Sequence, residues 1–338
     1  MVLRTEAWRR HGVIVAILGL LCFVPLLVHN PYLLHLFILS MLYAMLAGSW
    51  NLINGYAGIF TFGHQAFFGL GAYASALLAM HAGLSPWITL WLAGCVAALA
   101  GLAIGLPVLR IRSVAHVAIV TLAFAVIVQA VVANLPDFTR GTLGLAGIPS
   151  FTAFALPGIG IVSFGAGDQV AYYYVALVFL ALSMAFMIWL VSGRTGLALK
   201  AIRDAEEAAD SLGVDPTRYK LIAFVASSFV AGVAGAYYAH YLHILTPDSA
   251  IGVSIMVTIL VMTLVGGIGT TIGPLVGAFV VTFGLEAMRG LGDYRLMVYG
   301  LLLVLFVTFA PNGLAQLRRA RPQRHRGEAQ GPKPPPKK

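Results

Sequence analysis

Charged side chains that could bind or move a partner are concentrated in residues 193–220, GRTGLALKAIRDAEEAADSLGVDPTRYK. Between 197 and 213 good helix formers dominate, without internal Gly or Pro, so this stretch predicts one helix. We expect Gly213 to close that helix and Pro216 to prevent its continuation. Small or apolar residues recur on one side at helical spacing and predict a narrow apolar face that another surface can approach closely. They are Ala201, Ala205, Ala208 and Leu212.

Motifs for covalent chemistry are missing from the sequence. It contains no GxxxxGK[ST] phosphate loop and no GxSxG, HExxH or CxxC motif. His240 and His243 have the spacing of a metal pair but lack a third ligand nearby, so we predict no metal site. We therefore expect a protein that is not an enzyme, with no catalytic residues and no cofactor of its own.

The composition is that of an integral membrane protein. Hydrophobic residues make up 60% of the 338 residues and charged residues 10%, against about 25% charged in soluble domains. No Asp, Glu, Lys or Arg occurs between Arg10 and Arg110. A spanning helix needs about 20 apolar residues. Solid apolar runs predict an all-α, polytopic bundle of about ten transmembrane helices with Gly-broken segments.

Ten spans follow from these apolar runs. We predict them at 12–30, 33–52, 56–80, 87–107, 114–134, 170–192, 221–242, 252–267, 271–288 and 296–312. The number of spans within 249–290 is open, because 249–285 also fits one broken helix with a re-entrant piece.

Basic residues favour the cytoplasmic side of a membrane. Ten spans place all four basic clusters on one side, with both termini cytoplasmic. The chain then divides into a cytoplasmic N-terminus (1–11), a transmembrane permease domain (12–312) and a disordered, basic, Pro-rich cytoplasmic tail (313–338). Within the domain, 135–169 is an external connection and 193–220 is cytoplasmic. A role of the tail beyond fixing topology is open.

Two apolar segments are interrupted by glycines, NGYAGIFTFGHQAFFGLGAY near the start and LVGGIGTTIGPLVGAF later. Such interruptions indicate discontinuous helices at a pathway near the membrane midplane. Gly269, Gly273 and Gly277 recur every four residues, which also fits close helix packing. His64 is either a pathway residue or a neutral imidazole bonded to a backbone carbonyl.

Three separated motifs in this order resemble one known family. Glu207, Ala208 and Ala209, followed by Gly213, resemble the EAA---G coupling motif of ATP-binding-cassette importer permeases. The stretch from 198 to 236 and both Gly-rich segments resemble the branched-chain amino acid permease family. The chain length, the extra N-terminal span and the external connection favour its LivM-type subunit over the shorter LivH-type.

The resemblance implies a transport subunit in the bacterial cytoplasmic (inner) membrane. Its expected partners are two ATPase subunits that bind the ATP, a second permease subunit (LivH-type or an identical copy), a periplasmic binding protein and lipid, with no nucleic acid. For coupling to the ATPase we predict the motif residues Glu207, Ala208, Ala209 and Gly213, with Arg203 as an electrostatic partner of the ATPase. For the translocation pathway we predict a set of residues from the two glycine-rich segments, namely Tyr56, Gly58, Gly63, His64, Phe67, Gly267, Gly269 and Gly273.

Branched-chain amino acids are the cargo that the family implies. The same machinery could carry urea, short amides or another small solute, and the sequence separates these cargoes poorly. A self-sufficient channel or secondary carrier is a further alternative. It would need ionisable groups in the bundle, and the spans offer little beyond His64, His116 and Glu286.

Overall fold

Long apolar helices make up most of the fold. The computed structural model describes residues 2–111, 113–156, 160–165 and 168–294, with the single positions 297, 300 and 308. Its helices are, in chain order, α1 (Val2–Leu27), α2 (Pro31–Asn51), α3 (His64–His81), α4 (Pro86–Val108), α5 (Val114–Ala133), α6 (Pro136–Thr139), α7 (Gln169–Ser192), α8 (Arg194–Asp204), α9 (Glu206–Ser211), α10 (Pro216–Leu242), α11 (Pro247–Ile251), α12 (Val253–Gly266) and α13 (Gly273–Ala287).

Shorter elements link these helices. A π-helical turn, Leu52–Tyr56, extends α2, and 3-10 turns occupy Gly141–Leu143 and Arg289–Tyr294. The strands are β1 (Leu145–Ala146), β2 (Phe154–Leu156), β3 (Gly160–Val162) and β4 (Ile244–Leu245). β1 pairs with β4 and β2 with β3, both antiparallel.

Six helical stretches in the described residues are long and apolar enough to cross a membrane. They are Pro31–Tyr56, Pro86–Val108, Val114–Ala133, Gln169–Ser192, Pro216–Leu242 and Pro247–Gly266. Gly12–Leu27 and α13 are apolar but shorter. An all-α, multi-pass membrane protein is thus confirmed, whereas the count of ten spans stays a prediction. The predicted span 296–312 and the tail 313–338 lie outside the described residues, apart from the single positions noted above.

Helix α10 lies at the centre of the bundle, packed against α2, α3 and α4. Glycines allow α3 and α10 to cross closely, because a Cβ on Gly71 of α3 would lie 2.6 Å from the carbonyl carbon of Gly232 in α10. Polar side chains bond across the same interface. Ser75 Oγ lies 2.8 Å from both Thr89 Oγ1 and His240 Nε2.

The connection between α5 and α7 is tied to the C-terminal end of α10. His240 Nδ1 lies 2.8 Å from the carbonyl oxygen of Pro149, and His243 Nδ1 lies 2.9 Å from that of Ile148. Pairing of β1 with β4 adds main-chain bonds at the same place. Both histidines therefore fasten this connection to the bundle.

The third predicted span, 56–80, is wrong at its start, because 57–63 is not helical and α3 begins at His64. Side chains of neighbouring helices satisfy the backbone of this loop instead. Trp50 Nε1 donates to the Thr61 carbonyl at 3.0 Å, and the Phe62 amide donates to Thr121 Oγ1 at 3.0 Å. A helix through 57–63 would lose both bonds.

Candidate functional site: the charged segment and the two glycine-rich breaks

The charged segment consists of two helices, so the single helix predicted over 197–213 is wrong. Ala205 separates α8 from α9 with φ −158° and ψ 87°. Each helix is anchored separately to the bundle. Leu199 and Ile202 of α8 are fully buried, whereas α9 is held by a Glu206–Lys220 ion pair at 2.6 Å. One straight helix would have to satisfy both anchors, and the break lets each helix do so.

The predicted apolar face of this segment is turned away from the bundle. Leu212 is 85% exposed, and the three alanines of that face are exposed too, namely Ala201, Ala205 and Ala208. Within the coupling motif Glu207 and Ala208 are exposed and Ala209 is buried. The surface formed by Glu207, Ala208 and Leu212 is therefore open to a partner.

Gly213 ends α9 in the manner that the sequence predicts. Its φ is +83°, a conformation that costs an L side chain about 1–2 kcal/mol. The Gly213 amide donates to the Asp210 carbonyl at 2.9 Å, and the Val214 amide donates to the Ala209 carbonyl at 3.0 Å. These two bonds form a Schellman motif, which fixes the direction in which the chain leaves α9.

The two glycine-rich breaks meet at the end of the bundle where α8 lies. Asn51 joins them, because its Oδ1 accepts from the Gly269 amide at 2.8 Å and its Nδ2 donates to the Thr270 carbonyl at 2.9 Å. Tyr56 Oη lies 3.0 Å from Thr271 Oγ1. A Cβ on Gly55 would lie 2.6 Å from the Gly269 nitrogen, so the two backbones are in contact.

Arg203 reaches into this junction from α8. Its Nη1 donates to the Gly55 carbonyl at 2.5 Å. The side chain thus bonds inside the chain itself, although it was predicted as an electrostatic partner of an ATPase. The 26 residues of Pro31–Tyr56 precede the first break, and the predicted position of the breaks near the membrane midplane stays a prediction.

His64 and Phe67 lie apart from this junction, in a buried cluster at the start of α3. Ser49 Oγ donates to the Leu46 carbonyl, so the Nε2–H of His64, at 2.7 Å, donates to Ser49 Oγ. The ring is therefore bonded to a hydroxyl, not to a backbone carbonyl. Phe67 packs between Phe124 and Phe224.

Several buried polar atoms near His64 lack a hydrogen-bond partner among the residues that the structure describes. They are Thr61 Oγ1, His64 Nδ1 and both amide atoms of Gln65. An unpaired buried polar group costs about 1–3 kcal/mol.

The remaining glycines of the predicted pathway allow particular backbone conformations or close packing. Gly267 and Gly269 have φ +112° and +72° in the turn between α12 and α13. Gly273 begins α13, and Gly63 packs against Thr121. Because Gly269 is outside a helix, it does not share a face with Gly273 and Gly277. The transport roles of all the predicted pathway residues stay predictions.

A cavity of about 700 Å³ opens beside α9. Its lining includes Gly58, Arg110, Glu207, Asp210 and Asp215. The coupling motif and the first glycine-rich break therefore border the same space.

Sequence reasoning missed Asn51 and Ser49, which join the breaks and hold His64. Both are polar residues inside an otherwise apolar run, and such residues indicate function or bonding within a membrane. The sequence therefore carries the same signal at Asn51 and Ser49 as at His64.

These features define a multi-pass helical membrane protein with a charged segment at one end of its spans, the architecture of a transport subunit. A family model described as "Branched-chain amino acid transport system / permease component" matches residues 32–307. The chain belongs to this family of permease components.

Relatives agree with the family model. The chain is 33% identical over 308 residues to the high-affinity branched-chain amino acid transport system permease protein LivM of Salmonella typhimurium. The aligned region covers 87% of this chain and 72% of the relative. It is 32% identical to the LivM protein of Escherichia coli K12 with the same coverage. A probable LivH protein of Methanocaldococcus jannaschii is 25% identical over 71% of this chain and 76% of its own length. No solved structure matches significantly.

Proposed function

We propose that this chain is the membrane-spanning permease subunit of an ATP-binding-cassette importer for branched-chain amino acids. The observation that carries the proposal is the exposed surface of α9, where Glu207 and Ala208 precede the Schellman turn at Gly213. A short helix with small residues on its outer face fits closely into a cleft of another protein. The cargo is inferred from the names of the relatives.

The proposed assembly contains two ATPase subunits, a second permease subunit and a periplasmic binding protein. ATP is bound by the ATPase subunits, and this chain needs no cofactor. In the proposed orientation the chain has ten spans in the inner membrane, with both termini, α8 and α9 in the cytoplasm. The basic residues around α8 support this orientation.

Two variants test the coupling surface. Glu207→Lys reverses the charge of the exposed motif, and Gly213→Pro removes both the left-handed conformation and an amide donor. We expect each to abolish uptake of radiolabelled leucine in cells, while the protein still reaches the membrane at the normal level.

Matched controls lie at the opposite end of the bundle. Asp137→Lys reverses an exposed charge, and Gly83→Pro alters a glycine with φ +62° that has no described neighbour within 4 Å. Both controls should keep uptake. Normal leucine uptake by Glu207→Lys and Gly213→Pro would contradict the coupling assignment. Uptake of urea or a short amide in place of leucine would revise the proposed cargo but would agree with the proposed ATP-driven importer.

A further inference from the structure

Arg203 connects the charged segment to both glycine-rich breaks. We infer that Arg203 is a positioning residue that transmits movement of α8 to these breaks, and that it acts within this chain instead of contacting an ATPase. The inference rests on the proposed function, because it names the part of the permease through which the coupling surface acts on the spans.

The first contact is with the break after α2. Arg203 Nη1 donates to the Gly55 carbonyl at 2.5 Å, at the π-helical turn where α2 ends. The stem of the side chain lies on the loop that follows, since a Cβ on Gly58 would lie 2.8 Å from Arg203 Cγ. One side chain thus contacts the first break at two points.

The second contact is with the break between α12 and α13. A Cβ on Gly269 would lie 3.0 Å from Arg203 Nη1 and 3.1 Å from the Gly55 carbonyl oxygen. Glycine at this position leaves the space in which the guanidinium and the Gly55 carbonyl meet. Asn51 bonds the same stretch through Gly269 and Thr270, so the two breaks are held as one unit.

The base of Arg203 is fixed just as firmly. Its neighbour Ile202 and the preceding Leu199 are fully buried, so the stretch of α8 that carries Arg203 is packed on the bundle. The planar guanidinium offers several donors in a fixed geometry. The Lys200 Nζ atom lies 5.9 Å from the centroid of the Tyr56 ring, which gives a second, weaker contact between α8 and the first break. Displacement of α8 is therefore passed to both breaks at once.

The test uses the complete complex of this chain, its ATPase, the second permease subunit and the binding protein, reconstituted in proteoliposomes. Arg203→Met keeps the apolar stem and removes the guanidinium. We expect it to retain the ATPase subunits and their ATP hydrolysis, while the leucine carried per ATP hydrolysed falls about tenfold, as for loss of one charge-assisted hydrogen bond. Arg203→Lys keeps one donor group and should lie between Arg203→Met and the unaltered chain.

Arg218→Met is the matched control, because Arg218 is an exposed arginine of the same charged segment. It should leave the leucine carried per ATP unchanged. A normal ratio in Arg203→Met would overturn the inference, and so would loss of the ATPase subunits from that variant, which would make Arg203 a docking contact. If the Arg203→Met chain itself does not fold and reach the membrane, the same comparison is made with Arg203→Lys. Lack of ATP-driven uptake by the unaltered complex would instead contradict the proposed function.

A second measurement needs no partner protein. Gly58→Ala places a methyl group against Arg203 Cγ, whereas in an Arg203→Ala background the nearest remaining atom of that side chain is Cβ at 3.5 Å. The melting temperature in detergent should fall less on adding Gly58→Ala to the Arg203→Ala chain than to the unaltered chain. Equal losses in both backgrounds would show that the stem of Arg203 does not pack on the loop.

Discussion

At the scale of single residues, the interior of this bundle is held by a few hydrogen bonds between polar side chains. The Ser49 hydroxyl accepts a hydrogen bond from His64, and the Ser49 backbone carbonyl accepts one from Ser227 Oγ at 2.5 Å. Helices α2, α3 and α10 therefore meet at one serine. Water is scarce in such an interior, and each lost partner leaves a group unsatisfied. We expect this serine to matter more than its small size indicates.

Ser49→Ala should destabilise the protein by about 1–3 kcal/mol, because the buried His64 ring loses its acceptor. Ser40→Ala is the matched control on the same helix. Ser40 is equally buried, but within the described part of the chain its hydroxyl bonds only the Leu36 carbonyl of its own helix. Melting in detergent should show a clear loss for Ser49→Ala and less than about 1 kcal/mol for Ser40→Ala. Equal losses would contradict the proposed importance of the His64 contact.

At the scale of elements, close helix crossings depend on glycine. Gly71 of α3 faces Gly232 of α10, and Gly235 of α10 faces the Phe68 carbonyl of α3. The two backbones thus approach without side chains between them, a common solution in membranes. This crossing places the start of α3, with His64, against the centre of the bundle.

Gly71→Ala should lower stability by about 1–3 kcal/mol, because the added methyl group meets the Gly232 backbone and forces the helices apart. Gly284→Ala is its control. Gly284 is also in a helix, α13, but has no neighbour within 4 Å among the residues that the structure describes, so alanine there should be neutral or gain up to about 1 kcal/mol. A melting temperature unchanged in Gly71→Ala would contradict the close crossing.

Local sequence predicted the elements well where neighbours did not intervene. Apolar length located most helices to within a few residues, and Gly213 was identified as a helix end from its position alone. The break at Ala205 was missed because Ala and Glu favour helix, and only the separate anchoring of α8 and α9 interrupts it. The loop at 57–63 was missed because its stabilising donors, Trp50 and Thr121, lie in other helices.

The candidate site was predictable where it depends on local sequence and not where it depends on packing between helices. Residue types and motif spacing marked Glu207, Ala208 and Gly213 as a surface for a partner, and Glu207 and Ala208 are exposed. The direction of Arg203 was not predictable, because it depends on how α8 packs over Gly55. A charged residue in an exposed helix is normally expected to point to solvent.

At the scale of the whole molecule, the two ends of the bundle differ in character. One end carries α8 and α9 with both glycine-rich breaks, and the other carries the connection held by β1, β4 and the two histidines. Asp168 belongs to the second end. Ser163 Oγ and the Gly165 amide bond its carboxylate and lower its pKa. These bonds favour its ionised form and tie residues 163–165 to the residue that precedes α7.

Orientation in the membrane can be measured with single cysteines. After replacement of Cys22 and Cys95 by alanine, Asp137→Cys should react with a membrane-impermeant maleimide on intact spheroplasts. Arg218→Cys should react only after the membrane is opened. Both positions are exposed, so access through the membrane decides the result. Reaction of Arg218→Cys from outside would contradict the proposed orientation.

The most direct test of the central claim is to isolate the complete tagged chain from native membranes in mild detergent and identify the co-purifying proteins by mass spectrometry. We predict ATPase subunits and a second permease subunit in fixed ratio, and their loss or weakening in Glu207→Lys. A chain that purifies alone, or only with copies of itself and without an ATPase, would contradict the assignment of an ATP-driven permease subunit.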